Sequence, residues 1–362
     1  MLKLTKTGIG LLTRQYRSVL HKCFLINAGV FGLMAKTLRG TLSAAAFNVA
    51  DGLLASAVMA TIATTFALSS PANADELDRQ VVEAGQKVES IEGKFTGHTL
   101  TDIEGGFVEN SGTIVTLIAD VISNSVTEDR TNVGTDPLID ITTTGHIDII
   151  RGNINNNKLT YTRNASSSDD GFIIDNSGYI NTININMSDN RVEGVTPTPS
   201  PMIFSWSGRV DHIEGNFYRN VIDMNGSMEG SVIGVYAGAI FGDIVGNFVE
   251  NGVIGASGKG GAIVVYGSSD SYVSSIKGSF INNYSQAQGS LNGGAIYNLG
   301  TIDSIWDSNF VGNYAQSTTG VARGGAIYND NKIGIDAVNS NVYFYNNRAI
   351  QRENARYNDI YN

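Results

Sequence analysis

Cysteine is all but missing from this chain. Its 362 residues include one, Cys23, close to the start, so no disulfide can hold the protein together and stability must come from hydrogen bonds and packing. Proline is scarce too, five residues against 42 glycines, so a backbone that turns often does so mainly on Gly. Those glycines show no three-residue period, which excludes a collagen-like helix. A hydrophobic share of 42% that recurs at fixed spacing excludes disorder. Leucine is uncommon, helix formers are broken up by Gly and Asn, and apolar spacing is two rather than three or four. Leucine-rich and helical repeats therefore fit poorly.

Positive charge is short as well. Of 24 Lys and Arg and 34 Asp and Glu, residues 1–74 take seven bases and one acid, Asp51, which leaves 17 against 33 and a net charge of about −16. So acidic a body disfavours nucleic acid as a partner. The same segment carries an apolar run at 52–68 and ends in Ala72-Asn73-Ala74. It is expected to be an extended, helical secretory signal peptide cleaved after Ala74. A membrane anchor is the alternative, but the run is only 17 residues long and rich in Ala and Thr. Residues 2–40 are long for a signal, and Met34 is a second candidate start.

What the chain does have is repetition. Phe-x-x-Asn occurs at Phe107/Asn110, Phe217/Asn220, Phe248/Asn251, Phe280/Asn283, Phe310/Asn313 and Phe344/Asn347, with an Ile upstream and usually a Gly between. Degenerate copies keep the Asn behind Val121, Ile154 and Met187. From Val121 the anchors stand 33, 33, 30, 31, 32, 30 and 34 residues apart, which means one unit stacked many times. A second motif interleaves: Gly260-Gly261-Ala262-Ile263, Gly293-Gly294-Ala295-Ile296 and Gly324-Gly325-Ala326-Ile327, with Ala237-Gly238-Ala239-Ile240 as a weaker copy. Asn298-Leu299-Gly300 closes a turn before the alternating Thr301-Ile302-Asp303-Ser304-Ile305.

These elements point to an all-β, right-handed parallel β-helix, a solenoid in which equivalent residues form columns at the strand-to-strand spacing. Phe and Ile would stack inside, the Asn would form a self-satisfying ladder at a turn, and Gly-Gly would allow close backbone approach at a corner. A β-propeller or a sandwich is the alternative fold. The expected divisions are the signal at 1–74, a polar lead-in at 75–90, short coils or a cap at 91–124, and repeats of about 30–34 residues at 125–362, ending within a repeat as a fragment or a truncated product would. Polar loops are expected at 125–136, 165–171, 194–201 and 285–291.

The pairing of Gly-Gly-Ala-Ile with Phe-x-x-Asn resembles the passenger region of autotransporters, above all the polymorphic outer membrane proteins of chlamydiae, over roughly 91–362. The resemblance implies a type V secreted β-helix displayed on the outer membrane of a Gram-negative bacterium. It also implies adhesion to host-cell or matrix molecules and a C-terminal translocator barrel. No run of ten-residue alternating strands follows the repeats here, and the last residue is Asn362 rather than an aromatic.

β-Helices also include polysaccharide lyases and hydrolases, so a carbohydrate-active enzyme is the rival function. The residues offer it little: no catalytic, cofactor-binding or metal-binding residue is assigned. Asp169-Asp170 sits in a Ser-rich loop. His98, His146 and His212 are scattered, with His98 in the Asn slot of a degenerate copy. Asn-Thr-Asp with Gly-His-Gly is absent. Asp102, Asp148, Asp211, Asp243 and Asp303 each precede the strand Ile. Stacked on one face they would repel unless a cation or water intervened, although ordinary solvent-facing alternation also explains them and no Gly-Gly-x-Gly-x-Asp calcium nonapeptide occurs.

Overall fold

The computed structural model describes residues 79–101, 106–128, 137–162, 172–195, 200–267, 270–335, 341–352, 354–357 and 359–362. The segment read as a signal, Asp102 and the pair Asp169-Asp170 lie outside them. Regular structure among the described residues is entirely β-strand, wound as a parallel solenoid of about eight turns.

Each turn contributes to three sheets. The first sheet has ten short strands, from Gln80–Val82 to Ile360–Tyr361. The second is built on ten-residue strands such as Thr113–Ile122, His146–Asn155, Arg209–Tyr218, Ile240–Val249 and Tyr272–Ile281. The third runs from Thr99–Thr101 to Arg348–Gln351 and ends in the antiparallel strand Asn354–Tyr357. A small fourth sheet, Ser227–Glu229, Ser257–Lys259, Leu291–Asn292 and Ala322–Arg323, lies between third and first in the later turns.

Side chains explain this winding. Along Ile240–Val249, Phe241, Ile244 and Phe248 are buried, and Val210, Ile213 and Phe217 repeat the pattern one coil earlier. The phenylalanines form one interior column. Ring centroids are 4.7 Å apart for Phe217–Phe248, 4.8 Å for Phe248–Phe280, 4.7 Å for Phe280–Phe310 and 4.9 Å for Phe310–Phe344, the same as the spacing of strands in a sheet. Gly278, at φ +148°, takes the inward position two residues before Phe280; a Cβ there would stand 1.8 Å from the Gly246 oxygen. The Gly between Ile and Phe is thus required where the strand passes so close to its neighbour.

The asparagines behind the anchors are buried and linked from coil to coil. Asn124, Asn157, Asn190, Asn220, Asn251, Asn283, Asn313 and Asn347 each accept, at Oδ1, the backbone and side-chain N–H of the asparagine before, His98 supplying only its backbone N–H to Asn124. Each Nδ2 also donates back to the carbonyl of an anchor, as Asn251 does to Phe217 at 2.8 Å. The positive φ belongs to the residue before the asparagine, for example Asn156 at 58° and Asn282 at 54°. In the last turn Asn347 Nδ2 donates to Asp359 Oδ1 at 2.9 Å. Ile360 and Tyr361 pair with Ile327 and Tyr328.

Four readings of the sequence are corrected. First, Asn110 is not in the ladder. Val108–Asn110 is a first-sheet strand, and Asn110 Oδ1 accepts from Gly112 N, as Asn176 does from Gly178 and Asn298 from Gly300. It belongs to an Asn-x-Gly corner, and Phe107 packs against Phe95 rather than in the Phe column. Second, full coils begin earlier than expected, because Gln80–Val82 pairs with Val108–Asn110 and Lys87–Thr96 pairs along its length with Thr113–Ile122. The described residues of the stretch read as a lead-in and as short coils or a cap therefore belong to the solenoid. Third, the weak copy of Gly-Gly-Ala-Ile is Gly230-Ser231-Val232-Ile233, since Ile233 pairs with Ile263 whereas Ile240 pairs with Tyr272 in another sheet. Fourth, 285–287 and 125–128 are strand, not loop: Ser125–Glu128 and Tyr284–Ala287 belong to the third sheet, and Ser285 faces the interior.

Candidate binding surface

The third sheet shows solvent two columns of side chains, because successive residues of a strand face opposite ways. Register sets one column as Lys158, Arg191, Val221, Gly252, Tyr284, Tyr314 and Arg348, and the other as Thr160, Glu193, Asp223, Ile254, Gln286, Gln316 and Ile350. Between them Leu159, Val192, Ile222, Val253, Ser285 and Ala315 are buried.

The columns change character along the axis. In the earlier coils they are charged: Lys158 Nζ lies 2.6 Å and Arg191 Nε 2.9 Å from Glu193, and Arg191 also binds Asp223. The Lys158 hydrogen bond holds the Glu193 carboxyl below its usual range against the opposing effect of burial, with Arg191 adding to it. In the later coils they are aromatic and amide. The Tyr284 ring lies over Gly252, where a Cβ would be 2.3 Å from it, and stacks on Tyr314 with centroids 5.6 Å apart and planes 13° from parallel. Burial raises the pKa of both phenols, keeping them protonated as donors. Gln286 Nε2 donates to Tyr314 Oη at 3.1 Å and to Gln316 Oε1 at 3.3 Å. Beside them Asn282, Gly312, Tyr314, Gln316, Asn346, Arg348 and Ile350 line an open depression of about 280 Å³.

The outer side of the first sheet carries a second aromatic column. Tyr297, Tyr328 and Tyr361 stack in register at 5.2 and 5.3 Å, and Tyr236 and Tyr266, two residues further along their strands, lie beside that row with rings 5.2 Å apart and tilted by 36°. Trp206, 48% exposed, continues it beside Tyr236. The fourth sheet covers one flank: Glu229 accepts from Tyr236 Oη at 3.0 Å, and Lys259 pairs with Glu229 while lying 4.3 Å from the Tyr266 ring centre. Tyr236, Tyr297 and Tyr328 are buried, so this column is largely a satellite core.

The residues weighed from sequence do not converge. Register places Asp148, Asp211 and Asp303 in one outer column but never in adjacent coils; Asn181 separates the first two, and Gly242 and Ser274 the last two. Asp243 stands one position over, opposite His212 and Ser275. Asp148, Asp211, Asp243 and Asp303 therefore form no continuous stack of carboxylates. Each acid has its own partner: Asp211 accepts from Arg209 and Tyr179, Asp303 from Lys332 and Tyr272, and Asp243 from Ser275. Lys332, then Tyr272, hold the Asp303 carboxyl below its ordinary range. His146 Nε2 lies 3.0 Å from Asp148 without hydrogen-bond alignment, and His212 is 3.9 Å from Glu214. His98 takes the Asn slot through its backbone N–H to Asn124. No group of three His, Cys, Asp or Glu able to hold a metal forms among the described residues.

Sequence reasoning passed over the tyrosines. Tyr284 and Tyr314, and Tyr297, Tyr328 and Tyr361, recur with the period of the Phe anchors, and that recurrence was the available signal. No family model, curated protein or solved structure matches this chain.

Proposed function

We propose that this protein is an exported, passenger-like β-solenoid of a Gram-negative cell surface, and that its third sheet and the neighbouring turns bind a host-cell or matrix molecule. The observation that carries the reading is the aromatic and amide surface of Tyr284, Tyr314, Gln286 and Gln316. It occupies the segment between the Asn ladder and the Gly-Gly-Ala-Ile corner, on the outward face of the strands rather than in the packed interior. Interfaces favour tyrosine because it offers a large apolar face and a polar tip at low entropic cost. The coupled motifs, with their likeness to autotransporter passengers, support export and display and imply a translocator barrel as a partner.

The alternative, a carbohydrate-cleaving enzyme, needs carboxylates able to exchange protons at a fixed separation. The neighbouring pair on this sheet, Glu193 and Asp223, is tied to Lys158 and Arg191. The test is binding of the full chain to host cells and extracellular matrix, beside a cleavage screen on polygalacturonate. Replacing Tyr284 and Tyr314 by Ala, and separately residues 288–290 and 318–320 by Gly/Ser, should weaken binding while the β-sheet circular dichroism is retained. Unchanged binding by folded variants would move the function to another face, and release of unsaturated or shortened sugars would favour the enzyme.

A further inference from the structure

The depression at the later end of the third sheet is unusual for so acidic a chain in what its walls offer. Arg348 donates from Nε (3.1 Å) and Nη2 (2.8 Å) to Asn346 Oδ1. That fixes the plane of the guanidinium and leaves its remaining N–H groups unused, and among the described residues no carboxylate pairs with it. The two cations further along the same column differ: Lys158 and Arg191 are both bound to Glu193. The Tyr314 hydroxyl oxygen accepts from Gln286, so its proton is left to donate. Gln316 accepts at Oε1, so its amide N–H groups are likewise left. Gly312 keeps the floor open, since a Cβ there would stand 2.3 Å from Asn282 Oδ1. Three donor groups thus border one open space with an apolar floor at Ile350.

Resting on the reading of this sheet as a binding surface, the geometry points to a site for a carboxylate-bearing saccharide, with the acid group on Arg348 and the sugar ring against Tyr314. A guanidinium held in plane suits a carboxylate, which accepts two parallel N–H bonds. Side-chain amides and the phenol match ring hydroxyls, which both donate and accept. Stacked tyrosine supplies apolar area for the C–H faces of a pyranose, and a pyranose is about as long as one coil is thick. An acidic peptide is disfavoured by topology. Peptides commonly bind sheets by adding a strand, and here Tyr314–Ser317 is already paired on both sides, with Tyr284–Ala287 and Arg348–Gln351.

The test is calorimetric titration of the full chain with trigalacturonate, with neutral trigalactose and with triglutamate. Trigalacturonate should bind, with trigalactose at least about tenfold weaker, since the ion pair is lost. Arg348→Gln should cost about tenfold or more, and Tyr314→Phe, which keeps the ring and removes only the hydroxyl, a few-fold. Circular dichroism checks both folds, and Tyr314→Phe remains informative should Arg348→Gln fail to fold. No binding of trigalacturonate, equal binding of trigalactose, equal binding of triglutamate, or indifference to both substitutions would each overturn the site. Cell binding that survives Arg348→Gln would leave the broader surface reading standing without this site; uronate binding in the absence of cell binding would leave the site standing without that reading.

Discussion

The earlier and later coils fill the same slot differently. From Phe217 to Phe344 the anchor before the ladder is phenylalanine, its rings stacked at the coil spacing, whereas the three coils before carry Val121, Ile154 and Met187 there in unbroken register. The inward position two residues upstream changes as well, most clearly between Met187 and Phe217. It holds Ala119 beside Val121 and Ile185 beside Met187, but Gly215 beside Phe217, where a Cβ would stand 3.3 Å from the phenylalanine ring. The exchange of volume is confined to particular coils: Ile154 has Gly152 at that position, and Phe310 and Phe344 have Ser308 and Val342. The Asn ladder, by contrast, makes the same bonds in both regions. Register therefore depends on the ladder, and the rings add stability to a geometry already set.

That contrast can be broken most sharply at the ladder. Asn251→Leu would leave the Asn220 backbone N–H and one Asn220 side-chain N–H buried without partners, and would remove the side-chain donor to the Phe217 carbonyl. At about 1–3 kcal/mol for each buried group, a loss of roughly 2–6 kcal/mol is expected, with amides of neighbouring coils losing protection in hydrogen exchange. Phe248→Leu should cost only about 1–2 kcal/mol by the same measurement. A larger effect at the phenylalanine than at the asparagine would reverse the argument.

The corner of the later coils comes next. A Cβ on Gly294 would stand 2.0 Å from the Gly325 oxygen, so Gly294→Ala should destabilise by about 2–3 kcal/mol, seen as an earlier thermal transition. The volume exchange is testable by a double-mutant cycle. Met187→Phe alone should cost about 2 kcal/mol by overpacking against Ile185, and adding Ile185→Gly should recover part of it. The pair should be coupled by about 1 kcal/mol, and strict additivity would exclude compensation.

The smallest effect belongs to the charged coils of the third sheet. Glu193 is held below the ordinary carboxyl range, first by Lys158, so its pairing contributes stability that is present above that range and is lost as pH falls through the lower folded value. For a surface pair, about 0.5 kcal/mol is expected. Acidification should therefore weaken the wild type slightly more than Lys158→Met, in hydrogen exchange of Arg191–Gly194 and not of Tyr284–Ala287.

Much of this fold can be read from residues alone, because a solenoid repeats one local solution and each coil restates it. The ladder was legible since Asn124, Asn157 and Asn190 keep their spacing even where phenylalanine is absent. Phe107-x-x-Asn110 misled because a four-residue match carries no register; the glycine two places after the asparagine, shared with Asn176 and Asn298, marks its true corner. Polar strands were mistaken for loops at 285–287 because both outward columns there are polar and the inward Ser285 is small. The depression beside Arg348 was not legible: it joins residues of three successive coils, and which polar side chains keep spare donors depends on partners that only register reveals.

The ladder also has a direction. Every link runs from the side-chain N–H of one asparagine to the side-chain oxygen of the next, so the amide dipoles of Asn124 to Asn347 align head to tail along the axis and polarise one another. The oxygen end meets the backbone N–H of His98, and the N–H end meets the Asp359 carboxylate, as a charge complements a helix terminus. A buried row of uncharged amides thus gives this acidic rod an electrically positive end and a negative one, and Asp359 neutralises the positive end.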